Sequence, residues 1–227
     1  MLRNVLIFLV LALAGAGVSW ASSDATQLNQ VKFRVPLSSL AAEVTRDGKK
    51  KLVLSNTLLN GLAKGKEMFD ILEVSYPGVL YSPIIILSPV DKAAAKITTP
   101  INAAQADFSA WKAEDDERII AGFVPDEQAY IKERLADPRM RESSTKMFRI
   151  MEVRKISGEI HYKGLTILFV KDYPGPAGSE KYGPLPMAFA ETPAGWKRTN
   201  ALARDEIYEV IFPVLHNPRG VVLEVKP

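Results

Sequence analysis

The sequence predicts an α+β protein, and three observations carry that prediction. Apolar residues recur at helical spacing from Thr99 to about Leu135, then alternate with polar ones from about Met147 to Thr199, so helices and strands are segregated along the chain. The alternating runs are joined by short turn signals, "YKG" and "TPAG", which suit antiparallel neighbours. Cysteine is absent from all 227 residues, so no disulfide framework exists and a packed core must supply the stability.

The elements follow in order. "MLRNVLIFLVLALAGAGVSWASS" places Arg3 before an apolar run from Val5 to Val18 and small residues at Ser19 and Ala21. That is the layout of a secretory signal peptide over residues 1–21, cleaved after Ala21, and it predicts an exported protein of the periplasm or cell envelope. A retained segment would instead hold the chain at a membrane, although the 17 positions from Val5 to Ala21 fall short of the usual span. Residues 24–97 read as a small α/β unit. Within it, "VKFRVPL" alternates like a strand, and leucines 54, 58, 59 and 62 fall at helical spacing. In "FDILEVSYPGVLYSPIIILSPV", the dipeptide Pro77-Gly78 predicts a turn between two strands.

Residues 98–227 form the second predicted unit. Thr99 is a natural N-cap with Pro100 at the first helical position, and Ile101, Ala104, Phe108 and Trp111 line one helical face. "EDDER" begins a second short helix with its acids against the N-terminal dipole, and Pro125 opens a third. "ADPRMRESSTK" reads as a polar connector. Strands are predicted at about 147–161, 165–173, 184–191 and 196–201, then a helix at 203–212 and a last strand in "GVVLEVK".

The stretches "TPINAAQADFSAWKAEDDERIIAGF" and "PMAFAETPAGWKRTN" within this order of elements resemble the nuclear-transport-factor-like superfamily, which includes SnoaL-like and ketosteroid-isomerase-like domains. The resemblance covers about residues 98–213. It implies helices packed on a curved, cone-like antiparallel sheet, with a final hairpin that ends in a step like Gly195-Trp196-Lys197. The superfamily shares a fold more than a function, so no catalytic residue follows from the resemblance.

Charge and motifs narrow the function. The formal net charge is +3, with 10 basic and 7 acidic residues between Ser22 and Lys96 and 18 and 19 after it, so neither part has the one-signed field of a nucleic-acid binder. Nucleophile-elbow, zinc-protease and dinucleotide patterns are missing. "NGLAKGKEM" has Asn60 and Glu67 where a phosphate loop needs Gly and Ser or Thr. Two histidines without close ligand spacing predict no metal, and no cofactor is implied. Ser143-x-x-Lys146 matches the serine–lysine pattern of penicillin-interacting enzymes, but its partner motifs are absent.

The remaining candidates are ligand contacts. His161 follows Glu159 by two residues, and imidazoles change charge near neutral pH. On the last hairpin, Met187, Phe189 and Glu191 share one face with Trp196 and Arg198, while Ala188 and Ala190 form a small-residue face that admits a close neighbour. His161, Glu191, Arg198 and Trp111 are therefore the predicted ligand-binding residues. "LTILFV" is apolar on both faces, so both faces of the sheet should be covered, one by helices and the other by the front segment or a second copy of the chain. The resulting expectation is a non-catalytic binding or assembly module for a protein partner or small apolar ligand. The alternative is a metal-independent envelope isomerase or hydrolase. Membrane contact is expected only if the N-terminal segment is retained.

Overall fold

The structure is a computed structural model that describes residues 29–36, 42–44, 50–52, 71–177, 183–216 and 221–225. The signal-peptide-like segment and the predicted helix over leucines 54 to 62 lie outside these residues.

Strands β1 (Gln30–Pro36), β4 (Ile71–Leu87), β5 (Val153–Tyr162), β6 (Leu165–Tyr173), β7 (Leu185–Thr192), β8 (Gly195–Thr199) and β9 (Val221–Val225) form one antiparallel sheet. Their spatial order is β8-β7-β6-β5-β4-β1-β9. The short strands β2 (Ala42–Val44) and β3 (Lys50–Leu52) pair separately. Between β4 and β5 run four helices, α1 (Pro100–Lys112), α2 (Asp116–Ala121), α3 (Pro125–Ala136) and α4 (Pro138–Ile150), and α5 (Glu206–His216) lies between β8 and β9. The chain is thus α+β, with helices packed on an open antiparallel sheet.

Local signals fix most boundaries. Thr99 Oγ1 accepts from Asn102 N at 3.1 Å, and Pro100 begins α1. Asp115 caps α2 by accepting from Arg118 N at 3.1 Å. The β5–β6 hairpin turns through Lys163 and Gly164, both at positive φ as a tight two-residue turn requires.

Two readings of the sequence are corrected. The polar connector is helix α4: Asp137 accepts from Arg139 N and Met140 N, and Pro138 takes the first helical position, so the strand predicted from residue 147 begins at Val153. Pro77-Gly78 is not a turn either. β4 runs straight through it for 17 residues, pairing with β1 up to Pro77 and with β5 from Gly78 onward. Gly78 is required by proximity, since a Cβ there would collide with the Glu159 carbonyl oxygen.

The sheet is covered on both faces, as the two-sided apolarity of β6 predicts. On one face α1 sets Ala103 and Ala104 against Ile156, Leu168, Val170 and Phe189. On the other, Ile207, Ile211 and Val214 of α5 cover Phe33, Ile160, Ile167, Phe169 and Ala188. The second cover is therefore a helix of the same chain, and Ala188 is the small residue it approaches. Truncating the fully buried Ile211 to Ala should cost about 2–5 kcal/mol, read as a lower denaturant midpoint with an unchanged slope.

Candidate functional site

The α1 face of the sheet carries two polar groupings. The first is buried. Arg154 on β5 is fully enclosed and directs its guanidinium at two carboxylates. Nε and Nη2 donate to the two oxygens of Asp172 at 2.7 and 3.0 Å, while Nη1 donates to Asp107 Oδ2 at 2.8 Å and to the Ala104 carbonyl at 2.9 Å. The guanidinium also stands 5.0 Å from the centre of the Phe108 ring. Asp107 in turn accepts from Arg198 Nη1 at 3.4 Å, so one helical carboxylate ties β5 and β8 to α1. Burial alone would push the Asp107 carboxyl up, but Arg198 and Arg154 overcome it and hold it below its ordinary value. Burial would likewise discharge Arg154, and Asp172 and Asp107 keep it charged.

The second grouping is half-open. Tyr81 on β4 hydrogen-bonds the Glu159 side chain. A Glu159 oxygen lies 3.6 Å from His161 Nε2, and His161 Nδ1 lies 3.3 Å from the buried Thr166 hydroxyl. The Glu159 side chain is 16% exposed and that of His161 41%, so the pair opens to solvent at the margin of the buried cluster that holds Leu168 and Phe189. Burial pushes the Tyr81 hydroxyl far up, and the Glu159 carboxylate adds to this by accepting its proton in a hydrogen bond, so Tyr81 acts as a neutral donor.

This grouping exists because of a bulge. Ile156 opposes Val170 and Glu159 opposes Leu168, so Ser157 and Gly158 together face Phe169 alone. The extra residue shifts the alternation by one. Arg154 and Ile156 therefore share a face with Glu159 and His161, while Ile160 turns into the core under α5. Gly158 is the residue that permits it, because a Cβ there would stand 2.7 Å from both Leu80 Cδ2 and the Val79 carbonyl oxygen.

The structure places the four predicted ligand contacts as follows. His161, Thr166, Phe189 and Arg198 form one cross-strand row over β5 to β8. His161 and Arg198 are thus on one face but three strand spacings apart, about 14 Å. The Arg198 guanidinium is committed to Asp107 and to the Phe123 ring, 5.1 Å away. Glu191 shares their face and pairs with Trp196, but sits exposed near the hairpin tip. Trp111 belongs elsewhere, stacked on Phe148 with ring centres 5.0 Å apart; its indole nitrogen is buried and meets no acceptor among the described residues.

Sequence reasoning missed Tyr81, Glu159 as a site residue in its own right, and the Arg154 network. Glu159 and His161 at a spacing of two were the readable signal. Ser143 and Lys146 lie on α4, where the exposed Lys146 ammonium pairs with Glu142 at 2.9 Å, a solvated helix face. Among the described residues, no three imidazoles or carboxylates are grouped to hold a metal ion. Comparison with protein families, curated proteins and solved structures finds no match, and nothing in it recognises the nuclear-transport-factor-like superfamily.

Replacing Asp107 by Asn should cost about 3–5 kcal/mol, because Arg154 then keeps only one of its two carboxylates in a buried site. The change should also alter the acid response. Folded Asp107 titrates below its ordinary 3.8, so its contribution is complete above that value and is lost as pH falls through the folded one. Thermal melts below about pH 4 should therefore fall less steeply for Asp107→Asn than for the parent.

Proposed function

We propose that this chain is an exported, non-catalytic binding module of the cell envelope that takes a small, largely apolar ligand or a segment of a protein partner on the α1 face of its sheet. The observation that carries this reading is the dispersal of polar groups over that face. His161 and Arg198 are separated by about three strand spacings, Arg198 is occupied by Asp107, and Glu191 lies toward the rim. The Glu159–His161 pair, its imidazole 41% exposed, is the accessible polar group of this face and lies at the margin of the buried cluster that holds Leu168 and Phe189, a placement suited to orienting a ligand rather than surrounding a reacting bond.

The cone-like reading of residues 98–213 belongs to the same proposal. It draws support from four helices followed by the β5–β8 meander, closed by the hairpin with Gly195-Trp196-Lys197. Export rests on the first 21 residues of the sequence.

A second reading has its own support. Tyr81, Glu159, His161 and Thr166 form a connected series in which a neutral hydroxyl donor and an imidazole sit on the two sides of a carboxylate. Such a series could relay a proton in a metal-independent isomerase or hydrolase.

Native mass spectrometry of the protein purified from its source separates the two. A binding module should retain an organic molecule of constant mass, and His161→Ala should weaken its binding about tenfold, the worth of one hydrogen bond to a charged partner. A ligand converted on incubation, seen as a mass change for a hydrolase or as a shifted chromatographic retention at constant mass for an isomerase, with the conversion abolished in His161→Ala, would establish the enzyme instead. The same spectra test export: a mature chain beginning at Ser22 supports it, and an intact 25.0 kDa chain rejects cleavage.

A further inference from the structure

The two edges of the seven-stranded sheet are finished differently. At β8 the chain covers itself: Trp196 N donates to the Ile97 carbonyl, Arg198 N to the Gly122 carbonyl, and Val124 N to the Arg198 carbonyl. At the opposite edge β9 pairs with β1 over five consecutive residues with no break in register, and among the described residues no backbone hydrogen bond reaches its outer side. Exposed edges are commonly guarded by a lysine, a proline or a bulge, and "VVLEV" holds none of these. Its one charge is turned away. Glu224 accepts from Asn29 Nδ2 at 2.5 Å and from Leu80 N at 2.8 Å, so the carboxylate reaches inward past β1 to β4. Leu223 and Val225 project from the other face and are 46% and 41% exposed.

We infer that β9 is the pairing edge of a two-fold dimer, in which a second copy of this chain adds its own β9 antiparallel and the two sheets become continuous. The inference is independent of the α1-face ligand site. Three features select a second copy. The strand is self-complementary: a register centred on Leu223 aligns all five residues, sets Leu223 against Leu223 of the second copy and Val221 against Val225, and sets Glu224 against Val222 rather than against another acid. Like charges are kept from the seam, because Lys32 and Arg34, which stand beside Leu223 and Val221 on β1, are paired with Glu73 at 2.9 and 3.8 Å. The assembly also closes. With both β9 edges joined to each other and both β8 edges covered by their own chains, no edge is left on which a third copy could start. Five residues from each copy make a small seam, so the association is weak and concentration-dependent.

The test is sedimentation equilibrium of the protein expressed with its N-terminal segment and purified as the cell processes it. Between about 1 and about 300 µM the parent's mass should rise from that of one chain toward that of two, and no further. Leu223→Lys and Leu223→Glu should each weaken self-association about a hundredfold, because the register sets like charges together. An equimolar mixture of the two variants should restore association to within about tenfold of the parent's, since the opposite charges then meet. Leu223 is exposed in the single chain, so both variants should keep the parent's far-ultraviolet dichroism. If either does not, Val225→Lys at the end of the seam should weaken association in the same direction. A parent that stays one chain throughout would overturn the proposal and leave the edge to a strand of another protein. Variants that associate like the parent would also overturn it, as would a mixture no tighter than its components.

Discussion

A guanidinium without access to water constrains this fold more than any other group. Arg154 is enclosed by α1, β5 and β6, and a charge in that position is tolerable only if its donors are satisfied. Four donor contacts meet the requirement, two to Asp172 on β6 and two to Asp107 and the Ala104 carbonyl on α1. Asp172 fixes the β5–β6 register, because a slip of one residue would turn it to the opposite face. Asp107 fixes the rotation and height of α1, and through Arg198 it extends the restraint to the edge strand β8. The apolar contacts beneath α1 would tolerate several neighbouring placements. The charges admit one.

That network also explains how the exposed edge at β8 is managed. The chain leaving α2 runs beside β8, where Arg198 N donates to the Gly122 carbonyl and Val124 N donates to the Arg198 carbonyl, at 2.9 and 3.0 Å. Further along, Trp196 N donates to the Ile97 carbonyl at 2.8 Å, just ahead of α1. Backbone groups that would otherwise offer a template for another strand are thereby paired within the chain. The helical layer, the charged network and the edge form one mechanical unit, and the half-open Tyr81–Glu159–His161 group sits beside it on a rigid base.

Much of this was legible in the sequence where the signal was local. The Thr99-Pro100 start of α1, the Lys163 turn and the alternation of the final hairpin each depend on neighbouring residues, and all three appear where the pattern places them. Two of the failures share a physical origin in contacts made over long sequence separations. Pro77-Gly78 has the composition of a turn, but β1 and β5 hold it extended, and its glycine answers a close approach by a strand some eighty residues later. Arg154 in "VRKISGEIHY" looks like one more solvent-facing charge, because nothing nearby reveals Asp107 on a helix 47 residues earlier. Asp137-Pro138 did offer a local helix start, but the polar run after it, with only Phe148 buried on α4, concealed the helix.

The bulge at Ser157-Gly158 connects these failures to the candidate site. Uninterrupted alternation along β5 would put Glu159 and His161 on the face opposite Arg154, under α5, and would put Ile160 under the helical layer. The consequences would be severe on both sides: a carboxylate and an imidazole pressed against Phe33, Phe169 and Ile211, and no polar pair on the half-open face. One additional residue reverses both outcomes. It is accommodated because residue 158 lacks a side chain and because β4 loses its own regularity opposite, between Leu80 and Ile85, where Tyr81 turns onto Glu159. The irregularity in β4 spans Pro83, which has no N–H to give a regular ladder, and it stands opposite the bulge in β5. Together they hold Glu159 and His161 on the half-open face and Ile160 in the core under α5.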